Sequence, residues 1–166
     1  HAVRIQSAKA LAEIGPEAVP ALIQLLGDDN RAVRLSAVEA LGEIGTEAKP
    51  AVPALIQALK DDQDSTVRSR AAKVLEAIGA EAVPALIQLL GDDNHAVRIQ
   101  SAKALAEIGP EAKPAIPALI QALKDDQDST VRSNAAEALG AIGTEAKPAV
   151  PALIQQLGDD NHAVRL

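Results

Sequence analysis

Residues 31–45 read RAVRLSAVEALGEIG, and the residue before them is Asn30. Counted from Val33, the apolar residues Val33, Ala37, Ala40, Leu41 and Ile44 fall at offsets 0, 4, 7, 8 and 11. That spacing lines them up along one face of an α-helix. Asn30 is a residue type whose side-chain oxygen satisfies the orphan N–H groups of a first helical turn. Gly45 stands where a glycine in the left-handed C′ conformation would end the helix. The stretch therefore predicts one capped amphipathic helix, named here the VR helix after Val33-Arg34.

The pattern recurs along the whole chain. Residues 95–112 repeat residues 1–18 letter for letter, 81–94 repeat 17–30, and 47–69 differ from 111–133 only at Val52 against Ile116. Aligned on the Val-Arg pair, the chain divides into units 1–30, 31–64, 65–94, 95–128 and 129–161, with a partial unit 162–166. Cap residues recur as Asn30, Asp64, Asn94, Asp128 and Asn161, and terminal glycines as Gly15, Gly45, Gly79, Gly109 and Gly143. A second helix comes next in each unit, with Val19, Leu22, Ile23 and Leu26 as its apolar set in the first. Pro20, Pro53, Pro84, Pro117 and Pro151 lie near its start, where a missing N–H costs least. The longer units add Lys-Pro-Ala-Val or Lys-Pro-Ala-Ile ahead of that proline, which predicts a helical lead-in of about one extra turn, kinked because Pro50 and Pro53 cannot both occupy N1. No alternating strand pattern occurs. Repeats of this size form supersecondary units that stack on their neighbours. The expected fold is an all-α solenoid of stacked two-helix units, one array over residues 1–166.

Composition narrows the function classes. The 166 residues include no Phe, Trp, Tyr, Cys or Met, yet 48% are hydrophobic, and 23 acids outnumber 16 Lys and Arg for a net charge of -7. Without cysteine there is no disulfide framework, thiolate metal site or thiol nucleophile. Without aromatics there are no stacking platforms for bases. No apolar run approaches a membrane span, and no signal peptide opens the chain. A cytoplasmic protein with no membrane association is expected. No nucleic-acid partner is expected either, because phosphate binding selects cationic excess. Twelve of the 23 acids lie in the inter-helix turns, an edge better suited to a basic protein partner.

The pattern V-R-x-x-A-x-x-A-L-x-x-I-G, followed by A-V-P-A-L-I-Q-x-L and an Asp-rich turn, resembles HEAT-type repeats over the whole chain. The similarity is to the short HEAT-like class of phycobilisome lyase subunits. It implies a right-handed α-solenoid whose VR helices line a concave side. It also implies a structural ladder in which a turn aspartate meets a helix arginine: Asp29 with Arg34, Asp62 with Arg68, Asp93 with Arg98, Asp126 with Arg132 and Asp160 with Arg165. Asp28 and Asp92 are alternatives for Arg34 and Arg98. Members of the class include bilin lyases, protein-binding scaffolds and iron-dependent hydroxylases, so fold does not fix activity.

No residue set reads as catalytic. His1, His95 and His162 share one repeat column that elsewhere holds Arg31, Ser65 and Ser129, and no His-Glu dyad exists for a hydroxylase iron. Asp61-Asp62-Gln63-Asp64 lacks the glycine and distal glutamate of an EF-hand loop. Ser36 and Ser69 have no histidine base near them in sequence, and Gly42-Glu43-Ile44-Gly45 is a helix end, not a phosphate loop. The expectation is a non-enzyme with no metal and no cofactor.

A binding surface is suggested by comparing units. Columns one, five, six, nine, twelve and thirteen of the VR helix take different residues from unit to unit. Columns one, five, nine and twelve share one stripe, and its first three columns supply the candidate contacts: Arg31 and His95; Ile5, Leu35, Ser69, Ile99 and Ser133; Lys9, Glu39, Lys73, Lys103 and Glu137. Ile5, Leu35 and Ile99 are expected to be exposed apolar anchors. The reading is a non-catalytic scaffold that holds a protein on this concave stripe. Two alternatives stand beside it: a subunit related to bilin lyases, and an engineered or consensus array without a natural partner. The chain opens on a VR helix and closes five residues into another. A fragment of a longer array, or head-to-tail self-association through uncapped ends, is expected from that.

Overall fold

In a computed structural model, residues 2–158 are described. Among the described residues the repeat pattern becomes ten α-helices: α1 (Ala2–Ile14), α2 (Val19–Leu25), α3 (Arg31–Ile44), α4 (Val52–Asp61), α5 (Ser65–Ile78), α6 (Val83–Leu89), α7 (His95–Ile108), α8 (Ile116–Asp125), α9 (Ser129–Ile142) and α10 (Val150–Gln156). Odd-numbered helices are the VR helices. Among the described residues there is no strand. The helices fall into two compact units, His1–Ala82 with α1 to α5 and Val83–Leu166 with α6 to α10. The division lies inside the repeat 65–94, between its two helices.

The caps act where the side chains place them. Asn30 Oδ1 accepts from the N–H groups of Ala32 and Val33 at 2.9 and 3.4 Å. Asp64 does the same for Thr66 and Val67, Asp128 for Thr130 and Val131, and Asn94 for Ala96. Asn161 lies outside the described residues. At the other end the glycines depart from expectation. Gly45 has φ 69° and ψ −134°, and Gly15, Gly79, Gly109 and Gly143 also have positive φ. This is not the left-handed helical C′ conformation but the mirror image of extended backbone, which only glycine adopts readily. The cause lies in the next segment, because the chain turns at once into a 3-10 helix, Gly45–Ala51 after α3 and Gly109–Ala115 after α7.

The 3-10 segments also correct the lead-in. The extra residues of the longer units do not extend the second helix as α-helix. Pro50 and Pro114 lie within the 3-10 turn, and the α-helix starts only at Val52 or Ile116, with Pro53 or Pro117 in its first turn. A proline has no N–H to give and crowds the carbonyl four residues back, so an α-helical ladder cannot run through it.

Packing agrees with the predicted faces in the helices after α1, whereas Val3 and Ile14 of α1 are exposed. Val33, Ala37 and Leu41 are fully buried, and so are Leu22, Leu55, Leu75, Leu86, Leu105, Leu119 and Leu139. In the first compact unit α1 packs on α3, α3 on α5, α2 on α3 and α4 on α5; in the second, α7 packs on α9, α6 on α7 and α8 on α9. Alanines at the contacts let the helices approach closely. A Cβ added at Gly42 would sit 3.1 Å from Val74 Cγ2, which marks how tightly α3 and α5 meet.

An arginine ladder ties the turns. Arg34 donates from Nε and Nη2 to both carboxylate oxygens of Asp62, at 2.7 and 2.9 Å, and from Nη1 to the carbonyls of Asp28 and Asp29. Arg98 repeats this with Asp126, at 2.7 and 3.0 Å, and with the carbonyls of Asp92 and Asp93. Arg4 pairs with the Asp28 carboxylate. The expected pairings within one turn are therefore corrected. Asp29 and Asp93 offer Arg34 and Arg98 their carbonyls, while the carboxylate comes from the following turn, that of Asp62 or Asp126. Arg68 likewise takes the Asp62 carbonyl, and Arg132 those of Asp126 and Gln127. Geometry explains the shift: a carboxylate two residues before the cap must accept from the cap residue's own N–H, as Asp62 does from Asp64 at 2.9 Å. Its carboxylate also accepts from the arginine of the preceding VR helix, Arg34 on α3. The pair Asp160–Arg165 lies outside the described residues.

Burial works against ionisation of Asp62, yet the hydrogen bonds from Arg34 and from the Asp64 N–H hold its carboxyl below the usual range. A carboxyl lowered by folding stabilises the fold above its unfolded value of about 4, and that contribution is lost as pH falls through the folded value. Thermal melts should therefore hold level near neutrality and fall in acid, with a shallower acid limb for Asp62→Asn. At pH 7, Arg34→Ala leaves the Asp62 carboxylate buried without its partner and should cost about 3 kcal/mol in urea unfolding. Gly45→Ala meets no atom within 4 Å, so its expected loss of about 1–3 kcal/mol is backbone strain alone. D-alanine at the same position, introduced by chemical synthesis, should remove that loss.

Candidate functional site

Two surfaces of this fold carry side chains that the core does not use. The first is the VR stripe. Lys9, Glu39, Lys73, Lys103 and Glu137 are all exposed, as are Arg31 and His95, while Ser65 is exposed and Ser129 half-buried in the same column. The fifth column differs from expectation: Ile5, Leu35, Ser69, Ile99 and Ser133 are half-buried. Adjacent VR helices pack side by side, α1 on α3, α3 on α5 and α7 on α9, and this covers part of each fifth-column side chain. Ile5, Leu35 and Ile99 thus form partly recessed strips instead of protruding anchors. His1 and His162 lie outside the described residues.

Arg31 has a second role that its column does not reveal. Its Nε donates to the Asp64 carboxylate and its Nη2 to Thr66 Oγ1 at 3.3 Å. Asp64 is held below the ordinary carboxylate range, first by that arginine and then by the N–H groups it caps. The sequence carries a signal for this, because Arg31 sits at the first position of one VR helix and Asp64 at the cap of the next. The distance between the two helices is what sequence could not supply.

The sequence announces the second surface only as an acidic edge. Between the second helix of one repeat and that of the next lies an open crevice of about 450 Å³ in the first compact unit. It is lined by the apolar Ile23, Leu26, Ala54 and Ala58 and by Asp28, Asp29, Asp61 and Asp62 with Arg34. The second unit has the same crevice, of about 590 Å³, with each residue 64 positions on: Ile87, Leu90, Ala118 and Ala122, then Asp92, Asp93, Asp125 and Asp126 about Arg98.

Neither surface gathers catalytic groups. Among the described residues no three His, Asp or Glu side chains converge as metal ligands. The run Asp61 to Asp64 is instead divided among separate duties: Asp61 accepts from Gln57, Asp62 from Arg34, and Asp64 caps α5. No described helix is long and apolar enough to cross a membrane.

Solved structures place the fold among known proteins. The complex of CpcE and CpcF of phycocyanin lyase from Nostoc sp. PCC7120 is similar at 25% identity and a TM-score of 0.66, over 90% of this chain and 94% of that one. An engineered protein is similar at 28% identity and a TM-score of 0.56, over 97% and 85%. Human deoxyhypusine hydroxylase is similar at 26% identity and a TM-score of 0.56, over 98% and 75%. No curated protein matches the sequence significantly. The pattern of HEAT repeats matches residues 1–76, 52–139 and 111–166 in overlapping stretches that together span the chain. The chain belongs to the HEAT-repeat family.

Proposed function

We propose that this chain is a non-catalytic scaffold that holds a protein partner on the stripe of its VR helices, the face expected to be concave. One observation carries the reading. The ninth column, Lys9, Glu39, Lys73, Lys103 and Glu137, is exposed in every repeat and changes sign along the chain. The neighbouring core columns keep their small apolar residues. A charge order laid beside recessed aliphatic strips is a means of selecting a partner by complementarity while contributing little to folding. With no Trp or Tyr to act as anchors, affinity rests on Ile, Leu and Arg contacts and is expected to be modest. The similarity to the complex of CpcE and CpcF supports a protein partner.

Lys73→Glu with Lys103→Glu should leave the melting temperature unchanged, since both side chains are exposed. The same pair should weaken binding to a purified captured partner about tenfold by calorimetry. Unchanged affinity in this pair, and in Ile5→Ser, Leu35→Ser, Ile99→Ser, would remove the stripe as the binding face.

The similarity to the phycocyanin lyase complex favours a second reading, a lyase-related subunit that handles a bilin. An absorbance titration with a bilin separates the two. A scaffold leaves the chromophore spectrum as it is in buffer, whereas a lyase-related subunit shifts it.

A further inference from the structure

We propose that the two turn-edge crevices each take a basic segment of a partner polypeptide, with an aliphatic stem on the apolar lining and a lysine or arginine head at the acidic rim. This adds a second surface to the scaffold and is independent of the VR stripe. The first crevice carries apolar lining beside its acids: Ile23, Leu26 and Ala54 are half-buried there, with Gln57 and Gln63 also on its walls. Of the rim carboxylates, Asp62 is consumed by the bidentate bond from Arg34, and Asp28 by Arg4. The guanidinium that lines the crevice is thereby neutralised. Asp29 and Asp61 are exposed at the rim, and Asp61 accepts a hydrogen bond from Gln57. In the second crevice Arg98 is neutralised by Asp126 in the same way, and Asp93 and Asp125 are the exposed acids.

The combination selects the ligand. A metal ion needs converging ligands, and no three converge among the described residues. A bare cation gains nothing from an apolar lining. Lysine and arginine combine the two features, an aliphatic stem that lies on apolar surface and a charged head that reaches polar groups. The volume of each crevice falls in the range of sites that hold a side chain and its flanking backbone. Nucleic acid is repelled by the same rim.

The test uses a fluorescein-labelled peptide of alternating Lys and Leu, titrated by anisotropy at 0.15 M salt, where exposed charges beyond about 8 Å are screened. Asp29→Asn, Asp61→Asn, Asp93→Asn and Asp125→Asn together spare the ladder carboxylates. They should weaken binding about fivefold, two exposed pairs being lost at each crevice. Glu17→Gln, Glu47→Gln, Glu81→Gln and Glu111→Gln change net charge equally but lie in the 3-10 segments at the other end of the VR helices. These should leave binding within about twofold. Ile23→Ser with Ile87→Ser should weaken binding of the Lys-Leu peptide more than that of a Lys-Gly peptide. Equal losses from the two acid sets would reduce the effect to net charge and overturn the proposal, as would no binding by the parent chain. The stripe variants Lys73→Glu and Lys103→Glu should leave this peptide's affinity unchanged, so the two surfaces fail separately.

Discussion

Everything in each unit of this protein is referred to one guanidinium. Arg34 and Arg98 each bind the carbonyls of their own turn and the carboxylate of the following one. A planar fork with five donors can do this; a lysine, with one point of charge, could not hold two turns in a fixed relation. Burial raises the cost of leaving such a bond unmade, which makes the register between successive repeats strict. The caps, the turn carboxylates and the crevice linings all take their positions from that register. The acidic edge is equally its product. The ladder consumes one carboxylate of each rung and leaves the neighbouring ones facing solvent.

The core contributes cohesion without specificity of shape. Leucine, valine and alanine fill it, and no aromatic ring is present to demand a shaped hole. Two helices per repeat make a thin layer, and alanine contacts bring the layers together closely enough for aliphatic side chains to fill the space. Uniform aliphatic cores tend to be loosely specified. In this chain the polar bonds at the turns supply the missing definition, so hydrophobic burial and register are assigned to different residues.

Much of this is legible in the sequence because the controlling signals are local. Helical spacing from Val33 to Ile44, the cap at Asn30 and the glycine at 45 act within a few residues, and the repeats present each signal several times. The features that escape such a reading are set by distance between elements. The partner of Arg34 is Asp62, 28 residues away, and no local rule separates it from Asp29, five residues away. The half-burial of Leu35 depends on how closely α3 meets its neighbours, a spacing that helical periodicity does not encode. The conformation of Gly45 depends on the 3-10 turn after it, and two prolines close together make that turn read as a kinked helix. The crevices are the extreme case, since their walls come from two repeats.

The alternation of repeat lengths acquires a meaning from the ladder. Arg4 reaches 24 residues ahead to Asp28, while Arg34 reaches 28 ahead to Asp62. The difference is four residues, the same as between a 30-residue and a 34-residue unit. Three of the four are taken up in the 3-10 segment, at the end of the VR helix remote from the rung, and the fourth lies between the start of the second helix and the cap. The two edges of a repeat thus divide the work: one keeps the pitch, and the other absorbs most of the change in chain length. Such an edge is a natural port for insertions, where loops or whole segments could be acquired while the stack keeps its step.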